Sequence, residues 1–230
     1  MGDPNMYVIP AEAGIPDRND IEANPRRIPA FAGMTRLVLA AAMLATMPAA
    51  AAAQYETPVN PPDPAVQLAE MVEIYDSICL RAFPDDAAVA RAMAGRGATA
   101  MTGAEVSIYL HDDPGRGWNL TGRTGTFHLT VEAPPFHACG LRATTVAGFP
   151  DMAPYRALAD RFEAGGGYRS FGPQSMDVGN VHTTGAGEQR ERQGRAESLM
   201  VFLTTPTDKT RDPAHSAVEV RFVHQIYTGN

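Results

Sequence analysis

The densest group of side chains able to do chemistry is His111-Asp112-Asp113-Pro114-Gly115-Arg116-Gly117-Trp118. One imidazole and two carboxylates are ligands for a divalent cation, and Arg116 could grip an anionic group with Trp118 as a stacking wall. The same residues also have a local use. Asp113-Pro114-Gly115 is turn chemistry, and a histidine near a helix C-terminus is favoured electrostatically whatever its role. A metal site needs ligands from elsewhere in the chain and the spacing indicates none, so neither a metal nor a cofactor is expected.

The chain holds two cysteines, too few for a four-cysteine zinc site or a disulfide-dense mini-domain. Cys79 falls on the apolar stripe of a helix and Cys139 inside a strand. In an exported domain such a pair is most simply one disulfide. A sharper alternative makes Cys139 a nucleophile with His137 as its base. That needs a lowered thiol pKa and an oriented imidazole, and an i, i+2 spacing supplies neither. His224 shares a strand face with Val218, Val220, Phe222 and Ile226 and reads as a hydrogen-bonded core histidine. No HExxH, CxxC or GxSxG spacing occurs, so an enzyme is not the expected reading, although a site assembled from distant segments leaves no local motif.

Export is read from residues 34–53, MTRLVLAAAMLATMPAAAAA: one cation, an apolar run Leu37–Met47, Pro48, then small residues. This is the layout of a secretory signal peptide. A helix of that length rises only about 16 Å, roughly half a hydrocarbon core, so cleavage near Ala53 is favoured over a stable membrane anchor. Residues 1–33 contain five prolines, no helical period and a near-repeat, Ile9–Gly14 against Ile28–Gly33. Their wording looks like translated palindromic intergenic repeats fused to bacterial reading frames, which implies a start called too early and a disordered segment. Residues 54–64, with four prolines, read as an extended leader. One domain follows, over 65–228.

Composition fits that domain. The 230 residues are 44% hydrophobic and 20% charged, with a net charge of −7, so no broad positive field invites nucleic acid. Leu68, Met71, Val72, Tyr75, Ile78, Cys79 and Ala82 predict an amphipathic helix over 65–82. Asp85 caps a second helix, and Thr102-x-x-Glu105 has capping-box spacing for a short third, with a strand at 105–110 as the alternative. Alternating Phe127, Leu129 and Val131 predict a strand paired with Phe136–Val146 across Pro134-Pro135. Tyr155, Leu158, Ala159 and Phe162 predict one inserted helix. Extended stretches at 168–172, about 176–188, 198–204 and 217–227 complete an antiparallel sheet of five to six strands, α+β, with its helices on one face.

The helix YDSICLRAFPDDAAVARAM and the strand segment HACGLRATTVAGFPDMAPYRALADRF, joined through a Trp-containing segment, resemble small exported two-cysteine proteins of Gram-negative bacteria without an assigned function. The similarity spans most of residues 66–165 and its motifs are structural. It implies the disulfide and a periplasmic or secreted location, and no activity. The expected function is that of a non-catalytic binding or structural envelope protein whose partner is an envelope protein or small ligand. An envelope hydrolase built around 111–118 is the alternative. The discriminating question is whether Arg142, Arg169 or Glu188 meets that loop in a concave pocket.

Overall fold

The computed structural model describes residues 61–207 and 216–228. The repeat-like segment, the signal peptide and most of the leader lie outside the described residues. Asp63 opens helix α1 (Pro64–Tyr75), its carboxylate accepting from the backbone N–H of Ala65 at 2.8 Å and Val66 at 3.2 Å. The expected helix over 65–82 does not continue as one α-helix. It widens into a π-helical turn at Asp76–Leu80, which carries Ile78 and Cys79 inward. Asp85 caps α2 (Asp86–Gly95), as its spacing predicts. Residues 105–110 are helical: Thr102 and Glu105 form a complete capping box at the start of α3 (Gly103–Leu110).

The remaining elements are β1 (Thr99–Ala100), β2 (Gly115–Thr121), β3 (Thr126–Glu132), β4 (Phe136–Val146), α4 (Ala153–Glu163), β5 (Arg169–Val178), β6 (Val181–Arg192), β7 (Arg195–Pro206) and β8 (Ala217–Thr228). The strands form one antiparallel sheet in the order β1-β2-β3-β4-β8-β7-β6-β5. It has eight strands rather than five to six. The additional ones are β1 and β2, whose GRGWNLT has too many glycines to read as a strand. The stretch expected as one strand over 176–188 is cut by a turn at Gly179-Asn180, where Gly179 takes φ +60°, and its two parts belong to β5 and β6.

Successive side chains alternate between the two faces of each strand. Phe127, Leu129, Leu141, Leu199, Val220 and Phe222 point to the core face and pack against Leu68, Met71, Tyr75, Met93 and Leu158 of α1, α2 and α4. The other face, termed the reverse face, carries His128, Thr130, Gly140, Arg142, Phe202, Arg221 and Val223. Helix α3 lies there, not with the other helices as expected. A Cβ on Gly115 would strike the Leu110 side chain and the Val131 carbonyl, and one on Gly117 would strike Met101. Gly115 thus lets α3 approach the sheet, and Gly117 makes room for Met101 just before that helix. On the core face, Cys79 and Cys139 form a disulfide with Cα atoms 5.4 Å apart, stapling the π-helical turn to β4.

Candidate functional site

Register assembles a charged cluster on the reverse face. Asn119 of β2, His128 of β3, Arg142 of β4, Arg221 of β8 and Phe202 of β7 are cross-strand partners in one row. Directly opposed residues stand about 5 Å apart, so two arginines are held side by side. Arg142 is 3% exposed and well used. Its Nη1 donates to Thr130 Oγ1 at 2.9 Å, its Nη2 donates to the Tyr109 carbonyl at 3.0 Å, and Glu219 lies 3.7 Å from its Nε. Arg221 is different. Its guanidinium carbon sits 4.4 Å from the centre of the Phe202 ring, and its buried Nε has no hydrogen-bond partner among the described residues. Burial and the neighbouring charge of Arg142 pull its pKa down to about 10, so it remains a cation at neutral pH.

The α3 C-terminus brings His111 to this cluster. His111 caps the helix in the left-handed region at φ 53°, and Asp112 follows at φ 69°. Desolvation lowers the His111 pKa, as do the charges of Arg221 and Arg142, against the opposing pull of Asp113 and Asp112. Glu132 is pushed up to about 7, by burial first and by Asp113 second, while Arg221 and Arg142 restrain the rise. At neutral pH it is therefore close to half protonated. His128 stacks on Tyr109 at 5.2 Å between ring centroids. Its Nδ1 lies 2.7 Å from Asn119 Oδ1, an acceptor, so Nδ1 is the donor. Burial lowers the His128 pKa as well.

The loop expected to form one site is divided by the strand that follows it. His111 and Asp113 join the arginines. Arg116 is exposed and, by alternation, belongs to the core-face side of β2. Trp118 is 9% exposed and most of its ring packs in the main core. Asp112, Asp113, Arg116 and Trp118 do share the lining of an open groove of about 420 Å³ between α3 and β2, with Met101 and Val106 as its apolar side. Of the three residues raised as possible neighbours, Arg142 lies near enough for its charge to act on His111, but it does not line the groove. Arg169 and Glu188 belong to β5 and β6, at the other end of the strand order from β2.

The nucleophile reading of Cys139 is overturned, because its sulfur is bonded to Cys79. His137 bonds instead to Asp86 of α2, Nε2 to Oδ1, at 2.8 Å. His224 is a core histidine, 2% exposed: Nδ1 lies 2.7 Å from the Cys79 carbonyl and Nε2 lies 2.9 Å from Glu197 Oε1. No group of three or more His, Cys, Asp or Glu side chains among the described residues is placed to hold a metal ion. No described helix is long and apolar enough to cross a membrane.

Arg221 and Glu132 were not singled out by motif or spacing. The available signal was compositional: an arginine inside the otherwise apolar run Val220–Val223, with Glu219 two residues before it as the nearest opposite charge in sequence. Comparison with protein-family models, with curated proteins and with solved structures finds no significant match to this chain.

Proposed function

We propose that this chain is an exported binding protein that receives the anionic group of a small ligand against Arg221. The observation that carries the reading is the Arg221 guanidinium, desolvated, packed on Phe202 and left with an unused buried donor. A buried cation with unfilled hydrogen-bonding capacity is costly, and a carboxylate or phosphate offers the acceptor it lacks. Arg142 supports the same side, since its charge makes the patch more attractive to an anion while its own donors are held by Thr130 and Tyr109. The signal-peptide layout of residues 34–53 supports export to the periplasm or beyond.

Calorimetric titration with a panel of small carboxylates, phosphates and sulfates tests this. At least one class should bind, and Arg221→Met should abolish that binding while keeping the stem packed on Phe202. Affinity should rise as pH falls from 8 to 6, because protonation of Glu132 removes a competing negative charge. Binding that is indifferent to Arg221→Met would end the proposal.

A further inference from the structure

On the β5–β6 hairpin, away from the arginine cluster, four polar side chains form a continuous hydrogen-bonded line. Asp177 Oδ1 lies 2.6 Å from His182 Nδ1, His182 Nε2 lies 3.3 Å from Thr184 Oγ1, and Thr184 Oγ1 lies 2.8 Å from Ser175 Oγ. Register produces the line: Asp177 is the cross-strand partner of His182, and Ser175 that of Thr184. All four therefore project from the same face of the hairpin.

Donor accounting fixes the direction of every bond when the imidazole is neutral. An ionised Asp177 can only accept, so His182 Nδ1 carries the hydrogen. Its Nε2 is then a lone pair that accepts from the Thr184 hydroxyl. With that hydrogen engaged, Thr184 Oγ1 must accept from Ser175. The line is thus oriented to draw a proton from Ser175 toward an imidazole that a carboxylate orients, the relation by which a weak hydroxyl becomes a nucleophile. Burial is arranged to suit: Thr184 is 6% exposed, whereas Ser175 is exposed on the last strand of the sheet. An edge strand also turns alternate backbone N–H groups outward, donors of the kind that a developing oxyanion needs.

We infer that Ser175 is a nucleophile for acyl transfer, activated through Thr184 by the His182–Asp177 pair, and that small carboxylic esters are the class of substrate it cleaves. Ser175 Oγ bonds to the acyl carbon while its proton passes to Thr184 Oγ1 and the Thr184 proton passes to His182 Nε2. Collapse of the tetrahedral adduct breaks the ester C–O bond, and the leaving alkoxide takes up a proton returned along the same line. Water then attacks the acyl-serine, releasing the carboxylic acid and restoring the hydroxyl. Neither a metal nor a redox partner enters the balance.

The full-length chain is treated with a fluorophosphonate and assayed on p-nitrophenyl acetate. The adduct should map to Ser175, and ester cleavage should fall roughly 100-fold or more in Ser175→Ala and in His182→Ala. Thr184→Ser should retain activity and Thr184→Val should lose it. Ser175 is exposed, so Ser175→Ala leaves the core packing untouched and reads the chemistry alone. An adduct on another residue, no adduct, or cleavage that survives Ser175→Ala but not His182→Ala would overturn the inference.

Discussion

Replacing both cysteines, Cys79→Ala with Cys139→Ala, measures what the one covalent cross-link contributes. The bridge closes a loop of 60 positions. In the chain-entropy description a loop of that length removes enough freedom from the unfolded chain to stabilise the fold by about 4 kcal/mol. Both cysteines are fully buried, so the alanines also leave small voids that add to the loss. With a urea slope of about 2 kcal/mol/M, the midpoint should drop by about 2 M, and the thermal midpoint by about 8–16 °C. Equilibrium urea unfolding followed by tryptophan fluorescence suits the assay, because Trp118 lies in the same core. The burial of both cysteines makes a second measurement available: dithiothreitol should reduce the bridge only as fast as the fold opens. A loss below about 1 kcal/mol in the double variant, or reduction faster than opening, would refute the reasoning.

Two further predictions concern pH. Glu132 has its carboxyl raised to about 7 in the fold, so it weakens stability as pH rises above its ordinary value of 4.5, and the full penalty holds above 7. Glu132→Gln should be neutral below pH 4.5 and stabilising by about 1 kcal/mol at pH 8, after allowing for solvent screening; urea melts showing no gain at pH 8 would sink this account. Glu197 is held down to about 2, first by the hydrogen bond from His224 and then, against the cost of burial, by Arg190, whose Nε donates to Oε2 at 2.7 Å. Its contribution is complete above pH 4.5 and fades as pH falls toward 2, so Glu197→Gln should cost about 2 kcal/mol at pH 7 and little at pH 2.5; equal cost at both pH values would contradict it.

What was legible in the sequence is what local physics decides. The Asp85 cap and the Thr102–Glu105 box needed only neighbouring residues, and both form as their spacing predicts. The cysteine pairing was legible because composition and inferred export left few alternatives. Strand β2 was not, since Gly115 and Gly117 look like loop residues until α3 and the preceding Met101 are laid over them, and that contact is tertiary. Gly179-Asn180 was a readable hairpin signal that the extended pattern on both sides obscured. The pairing of Arg142 with Arg221 could not be read. Which side chain faces Arg142 depends on the β4–β8 register, and a slip of one residue would turn Arg221 to the core face.

The strand order has a consequence for how the chain must fold. Strands β1 to β4 form one meander in sequence order and β5 to β8 a second, and within the sheet the two halves touch along β4 and β8, paired from Phe136↔Tyr227 to Val146↔Ala217. A chain emerging N-terminus first can pair β4 with β3 and bring Cys79 to Cys139 early. The other side of β4 stays an open, largely apolar edge until β8, last in chain order, is delivered. Completion of the sheet is thus a single late docking event between distant halves, the kind of non-local pairing that slows folding and exposes strands to wrong partners in the interim. The vulnerable interval therefore lies between oxidation of the first half and arrival of the final strand.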